Sequence, residues 1–347
     1  MWCHACVVIA VMLAMAGRAH AQFTAAPVLQ FPISARSAAM GETGAADNSD
    51  PANLYFNPAN VVGKPRIYAQ GSRWDYAPIF GDEIDIWIGS ASAGICYPRD
   101  ESSRVTSLCV DLAYGRLDYG KAIATDPSGM PLGEFDAYED YVVLTLGAGI
   151  RVATDWELRA GVAAKRIHLN YGLSAPPDEG DISGFAFDTG VTLARDAAFA
   201  GWNATPAIAV ALVNAGPDLE FPDGNHDPLP MRFHFGGSIR VESPTTRILS
   251  ADVPVIAMVT NVDAVERFHD EEFSWGIGSE LAVAQIVFVR VGVSDYKDEF
   301  EFDSDQLSGW GVGVGLPAGP FRARFDFTET SVEYTDDKYG LSIDWLL

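Results

Sequence analysis

The sequence predicts an all-β fold, a transmembrane antiparallel β-barrel of about 14 strands with a small N-terminal helical plug, or hatch. From Arg66 onward, apolar residues alternate with small or polar ones, which is the period of a strand with two different faces. Long and short connections between these segments alternate in most places, as they do in outer-membrane barrels. No apolar run after residue 21 approaches the roughly 18–20 residues that a membrane helix needs.

The composition narrows the class of protein. The 347 residues include 47 Asp and Glu against 23 Lys and Arg, a formal net charge of −24. This balance argues against a nucleic-acid partner, because phosphate binding needs a basic surface. With 48% hydrophobic residues, the chain has enough apolar side chains to fold.

Residues 1–21 are predicted to be a signal peptide. The stretch Ala5–Ala16 is almost wholly apolar, and Ala19-His20-Ala21 has the small-x-small form of a cleavage site. Because Met1–His4 carries no Lys or Arg, a buried or anchoring helix is the alternative. Cleavage near Ala21 predicts a mature protein in the outer membrane of a Gram-negative-type bacterium, surrounded by outer-membrane lipid.

Residues 22–63 differ from the alternating segments and are predicted to form the plug. Asp50 precedes Pro51 and Asn57 precedes Pro58, so each pair reads as a helix N-cap with proline at the first helical position. Small residues around Met40 allow close backbone approach, as a plug inside a barrel needs. A flexible periplasmic arm is the alternative. The plug motif comprises Met40, Gly41, Asp50, Pro51, Asn57, Pro58 and Ala59.

Residues 64–347 are predicted to form the barrel, and an even number of strands suits a closed bacterial barrel. A soluble β-sandwich is the alternative. In one strand, glycine recurs at every second position from Gly309 to Gly315, which would leave room on the wall for the plug. The predicted strands lie near 66–74, 84–97, 105–119, 138–153, 156–171, 184–194, 204–214, 232–242, 246–257, 273–283, 286–296, 308–316, 320–331 and 339–347.

The face predicted to point inward carries acids and bases in balance. Such a balance favours ion pairs that cross a filled interior over a charge-selective pore. The predicted lumen charges include Arg151, Arg159, Asp188, Arg290, Arg324 and Asp326.

Nearly all of the net negative charge falls in the predicted outer loops. It serves either to solvate exposed loops or to bind divalent cations, lipopolysaccharide or a basic partner. The first places to look for Ca²⁺ are 269–272 and 298–305, although neither matches an EF-hand loop.

Two cysteines, Cys96 and Cys109, remain once the signal peptide is removed. If residues 102 and 103 form the turn, Cys96 lies opposite Cys109 and both face inward. An oxidising compartment permits a disulfide there, and two reduced thiols are the alternative.

No enzyme and no cofactor are expected. The sequence has no G-x-S-x-G, H-E-x-x-H or phosphate-binding loop motif. His234 is the one residue noted for a hydrolase, if it faces the lumen.

Ser34–Gly44, followed by Asp50–Ala59, resembles the N-terminal signature of PorV/PorQ-like proteins, which belong to the FadL-like superfamily of outer-membrane barrels. Asn214–Pro217 and Leu229–Arg232 are also similar to that family. The resemblance implies fourteen strands and an N-terminal hatch. It further implies a secretion-associated, type IX-like component that binds or shuttles exported proteins. The alternatives are a FadL-type channel for uptake or export of hydrophobic small molecules, and a structural surface barrel.

Overall fold

A computed structural model describes residues 24–31, 34–63, 66–75, 86–99, 103–125, 128, 130–171, 181–222, 224–269, 272–295, 307–331 and 338–346. The predicted signal peptide therefore lies outside the described residues. In this part of the chain, no helix is long and apolar enough to cross a membrane.

Fourteen antiparallel strands form one closed barrel, as the sequence predicts. Each strand pairs with its neighbour along the chain, and β14 pairs with β1 from Arg66↔Leu346 to Arg73↔Tyr339 to close the cylinder. The strands are β1 (Arg66–Asp75), β2 (Trp87–Pro98), β3 (Val105–Thr125), β4 (Pro131–Ala153), β5 (Trp156–Asn170), β6 (Asp181–Arg195), β7 (Trp202–Ala215), β8 (Arg232–Glu242), β9 (Ile256–Arg267), β10 (Glu272–Val283), β11 (Val287–Ser294), β12 (Leu307–Ala318), β13 (Phe321–Thr330) and β14 (Lys338–Leu346).

The barrel is apolar outside and mostly polar or small inside. On β3 and β4 the outward side chains Leu112, Val142 and Leu144 are 44–57% exposed, whereas the inward Asp111 and Thr145 are buried. Outward apolar residues form the belt that lipid requires around a membrane-spanning barrel. We take the end with the tight connections 154–155, 284–286 and 319–320 as periplasmic, and the opposite end as outer.

The predicted position of the ninth strand is wrong. Residues 256–267 form β9, although most of this range reads as an outer loop in the sequence because it contains Asn261 and Asp263. Both side chains point into the lumen, where they are buried against the N-terminal segment. The predicted strand 246–257 instead contributes a small periplasmic hairpin, Thr245–Ile248 with Ala251–Pro254.

Among the described residues before the barrel there are four short helices: the 3₁₀ helices Pro27–Leu29, Pro51–Tyr55 and Pro58–Val61, and α1 (Ala35–Ala39). The side chain of Asp50 accepts from Ala52 N at 2.8 Å, and that of Asn57 accepts from Ala59 N at 2.9 Å. Both N-caps predicted from the Asp-Pro and Asn-Pro pairs are therefore present. The remaining short strands are Ala197–Phe199 beside β7 and the pair Leu219–Glu220 with His226–Asp227.

Candidate functional site

The N-terminal segment, of which residues 24–31 and 34–63 are described, lies inside the barrel. On one side, Asp263 of β9 accepts hydrogen bonds from Gly44 N at 2.7 Å and Ala45 N at 2.8 Å. On another side, Asn57 Nδ2 donates to the hydroxyl of Thr192 on β6 at 3.0 Å. Contacts with well-separated strands of a closed wall require that the segment occupy the lumen.

Glycines on the inner wall let the segment approach the strand backbones. A Cβ on Gly278 of β10 would lie 2.1 Å from Met40 O, and one on Gly161 of β5 would lie 2.3 Å from Pro58 C. Gly41 itself has φ +63°, a conformation that favours glycine, and its missing side chain would meet the backbone of β11. The N-terminal segment therefore fits closely against the wall, because a side chain at these wall glycines would overlap the backbone of the segment.

Arg36 is the centre of the charged contact between segment and wall. Its Nε and Nη2 donate to the two carboxylate oxygens of Glu280 on β10, at 2.9 and 3.1 Å. Its Nη1 donates to Asp47 Oδ2 at 3.0 Å. All three residues are buried, so the pairing holds the segment against β10 in a region with little water.

Wall residues extend this contact into a network in the periplasmic half of the lumen. Arg290 of β11 bridges Glu280 and Asp326, at 2.5 and 2.7 Å. Arg324 of β13 bridges Asp326 and the plug residue Asp50, both at 2.7 Å. Three arginines and four carboxylates therefore compensate one another across the interface between wall and segment.

Two groups of the segment show the electrostatic effect of this network. Burial alone would lower the pKa of Arg36, but Glu280, Asp47 and Asp50 raise it well above its ordinary value. Burial alone would raise the pKa of Asp47, but Arg36 and Arg240 hold it below its ordinary value. Both groups are therefore charged at neutral pH.

The outer half of the lumen contains an apolar chamber that the start of the segment fills. Val28 and Leu29 are each 2% exposed and Phe31 is 8% exposed. They pack in one cluster with inward residues of β1–β6 and with the connection between β7 and β8. The chamber is lined by Trp74, Ile88, Leu117, Tyr141, Val143, Ala163, Ile167, Leu169, Ile182, Ala186, Leu219 and Leu229.

One buried carboxylate, Glu139 of β4, stands within this chamber. Its register partners are Leu117 on β3 and Leu169 on β5. It accepts hydrogen bonds from Val28 N at 2.9 Å, from the Tyr119 hydroxyl at 2.7 Å and from the Tyr171 hydroxyl at 2.6 Å. The first of these donors belongs to the segment, and the other two belong to the wall.

A second polar contact fixes the same part of the segment. Arg232 at the outer end of β8 donates to Leu29 O at 2.7 Å and to the Tyr55 hydroxyl at 2.8 Å. The Tyr55 hydroxyl in turn donates to Gln30 O. Burial raises the pKa of Tyr55 to about 12, with Arg232 acting in the opposite direction. Tyr55 is therefore neutral at physiological pH and can make both contacts.

A polar cavity of about 780 Å³ opens at the periplasmic side of the segment. Its lining mixes carboxylates and guanidinium groups, among them Asp47, Glu157, Arg159 and Arg240. The small periplasmic hairpin borders this cavity, and Leu249 O of its turn accepts from Gly319 N at 3.1 Å. The segment thus lies between the apolar outer chamber and a polar periplasmic cavity.

The structure distributes the predicted lumen charges over four places. Arg290, Arg324 and Asp326 belong to the network with the segment. Asp188 of β6 forms an ion pair with Lys165 of β5, with 2.8 Å between Oδ2 and Nζ. Arg159 donates to Glu157 at 2.8 Å in the periplasmic cavity. Arg151, in contrast, is exposed at the periplasmic end of β4, where the wall projects beyond the filled lumen.

Cys96 of β2 and Cys109 of β3 are register partners, as the turn geometry predicts. Their sulfur atoms are 1.96 Å apart, and a disulfide between them stays a prediction. They pack in one cluster with Leu54, Val61 and Val62 of the segment.

Of the predicted cation sites, the 298–305 stretch and residues 270–271 lie outside the described residues. Elsewhere in the described chain, no three His, Cys, Asp or Glu side chains are placed to share a metal ion. His234, noted above for hydrolysis, is buried at the segment and makes an edge contact with the ring of Phe56.

Sequence reasoning missed Arg36, Asp47, Glu139 and Asp263. One signal was present, since Arg36 is the only basic residue of 22–63 and is surrounded by small apolar neighbours. A lone arginine in such a stretch needs carboxylate partners when it is buried.

No protein-family model and no curated protein sequence matches this chain. Among solved structures, it is similar to the toluene transporter TodX of Pseudomonas putida, with a TM-score of 0.48 and 11% identity over 90% of this chain and 96% of that one. It is also similar to a FadL homologue of Pseudomonas aeruginosa, with a TM-score of 0.46 and 10% identity over 94% and 100% of the chains. For Omp33 of Acinetobacter baumannii the TM-score is 0.39, with 11% identity over 82% and 99%.

Proposed function

We propose that this protein is an outer-membrane channel for hydrophobic small molecules and that residues 24–31 gate it. The observation that carries the proposal is the apolar chamber inside the barrel. The interior of a membrane barrel is ordinarily polar. An inner wall of leucine, isoleucine, valine and aromatic side chains is suited to an apolar occupant. In this structure, which we take as the closed state, the apolar side chains of residues 24–31 are that occupant.

The free energy of burial in the chamber allows an apolar ligand to replace the side chains of residues 24–31. Burial of Val28, Leu29 and Phe31 contributes roughly 1.5–3 kcal/mol for each side chain. An apolar ligand of similar size regains this free energy when it takes their place. Residues 34–63 keep their own attachments to the wall, Arg36 to Glu280, Asp47 to Asn261 and Asp50 to Arg324, so displacement of 24–31 does not require that the whole plug leave.

The route through the protein follows from the order of the compartments. A molecule enters the chamber from the outer end, near Leu219 and Leu229 of the connection between β7 and β8. Beyond the segment, the polar cavity opens to the periplasm. Removing the apolar residues 24–31 opens the chamber to the ligand, and passage from the chamber to the cavity also requires residues 34–63 to shift within the lumen.

The test is uptake of radiolabelled naphthalene by cells that express the protein. Ala163→Trp places an indole in the chamber and is expected to abolish uptake above empty-vector cells. Ala164→Trp places the same indole one residue further on β5, on the exposed outer surface, and is expected to retain uptake. Equal uptake by both variants and the parent, or no uptake by the parent, contradicts the proposal. Circular dichroism of the purified barrels checks that both variants fold.

The secretion role implied by the N-terminal motif stays a prediction from that resemblance. It predicts that exported proteins and secretion subunits co-purify with the solubilised barrel. A purely structural barrel predicts neither co-purification nor uptake.

A further inference from the structure

We propose that the chamber selects apolar molecules that carry a neutral hydrogen-bonding group, such as a phenol or alcohol, over pure hydrocarbons. This inference rests on the proposed function and names its substrate class. The residue that carries it is Glu139.

The first step concerns what the segment supplies to Glu139. One oxygen of the carboxylate, Oε1, accepts from the Tyr119 and Tyr171 hydroxyls of the wall. The other oxygen, Oε2, accepts from Val28 N. When residues 24–31 leave the chamber, the wall tyrosines stay but the donor to Oε2 leaves.

The second step concerns the surroundings of that oxygen. Glu139 is 0% exposed and is flanked by Leu117 and Leu169 on the neighbouring strands. A buried acceptor that loses its donor carries a desolvation penalty, which is larger for a charged group. An occupant that donates a hydrogen bond to Oε2 removes this penalty, and a pure hydrocarbon does not.

The third step concerns the acceptor on the segment. Leu29 O, one residue beyond Val28, accepts from Arg232 Nη2. Arg232 keeps its bond to the Tyr55 hydroxyl when residues 24–31 leave, so this guanidinium retains a partner. The selectivity therefore rests on a donor to Oε2, which a hydroxyl supplies and a pure hydrocarbon lacks.

The same arrangement discriminates against anions at Glu139. A carboxylate ligand has no proton to donate at neutral pH, so it leaves Oε2 without a donor, and it would bring its own charge among apolar side chains. We therefore expect the order 1-naphthol, then naphthalene, then 1-naphthoate, with the naphthalene ring system kept constant.

The experiment measures uptake of the three radiolabelled compounds by expressing cells, each corrected for empty-vector cells. The parent is expected to take up 1-naphthol about tenfold more efficiently than naphthalene, the ratio that one buried hydrogen bond provides. Glu139→Leu is expected to lower this ratio to about one, because the acceptor is gone. Glu139→Gln, at nearly the same volume, keeps one oxygen for the two tyrosine hydroxyls and places an NH2 donor where Oε2 stood, so it is also expected to lose most of the preference.

Glu134→Leu is the matched control, since this glutamate lies on the same strand and is exposed. It is expected to leave the ratio unchanged. If naphthalene and 1-naphthol enter equally in the parent and in Glu139→Leu, the selectivity is wrong and the channel proposal survives. If neither compound enters, the channel proposal itself fails. A preference for 1-naphthoate overturns the role given to Glu139.

Discussion

Arg36 in the N-terminal segment and Glu280 on β10 lie 244 residues apart in the chain and share two hydrogen bonds of 2.9 and 3.1 Å. This pair joins a segment of small residues to the wall of the barrel around it. Because both side chains are buried, the pair also determines what each substitution in the network should do.

Removing one partner of the buried Arg36–Glu280 ion pair should cost more free energy of stabilisation than removing an exposed ion pair. Arg36→Leu leaves Glu280 and Asp47 with fewer donors, and breaking a buried ion pair in this way costs about 3–5 kcal/mol. We expect faster hydrogen–deuterium exchange throughout 34–63 in the purified barrel.

Arg73→Leu is the control for that substitution. Arg73 and Asp75 lie 3.9 Å apart with side chains 60% and 57% exposed. Such a pair contributes about 0–1 kcal/mol, so exchange in 34–63 should be unchanged. Equal exchange in Arg36→Leu and the parent would show that the network does not hold the segment.

Gly278→Ala should displace the N-terminal segment from its position against β10. The added methyl group would lie 2.1 Å from Met40 O, far inside van der Waals contact, and the backbone there has to move. We expect increased single-channel conductance in planar bilayers. Gly237→Ala on β8 is the control, because its added Cβ would have nothing closer than an oxygen at 3.9 Å. Closed channels for both variants would contradict the close packing at Gly278.

Alkaline pH should weaken the outer attachment of the segment. The pKa of Tyr55 is raised to about 12 in the folded protein, against an ordinary value of 10.0. A raised folded pKa means that the stabilisation is complete below pH 10.0 and is lost as the pH rises through about 12. The ultraviolet difference between the parent and Tyr55→Phe should show one tyrosinate step near pH 12. Ionisation of that tyrosine near its ordinary pKa would contradict its burial.

The cysteine pair should be oxidised in the mature protein. Alkylation of the unfolded protein before reduction should add no mass at Cys96 or Cys109, and alkylation after reduction should modify both. A disulfide that closes a loop of this length contributes about 3 kcal/mol. Cys96→Ser with Cys109→Ser should therefore lower the urea midpoint of the purified barrel. Two alkylatable thiols before reduction would contradict the bond.

Local patterns were sufficient to predict most of the wall. Alternation of apolar and polar residues gives thirteen strands to within several residues of their ends, because lipid on one side and a filled lumen on the other impose the same period everywhere. The pattern misled at β9, where Asn261 and Asp263 read as loop residues. Their partners belong to the segment, more than 200 residues away, and no local signal reports them.

In the site, too, features set by neighbouring residues could be predicted from the sequence, whereas features set by contacts between distant residues could not. The caps at Asp50 and Asn57 depend on the next two residues and are visible in the sequence. The roles of Glu139 and Glu280 depend on contacts with Val28 and Arg36 across the lumen. Only the three-dimensional register of the barrel brings these residues together.

The most direct test of the central claim is an experimental structure of the protein soaked with a brominated 1-naphthol, located by the anomalous signal of bromine. The account predicts bromine within the apolar chamber beside Leu117, Ile167 and Leu169, with residues 24–31 displaced from it and the hydroxyl at Glu139. Bromine confined to the outer apolar belt, with Val28 still bonded to Glu139, would contradict it.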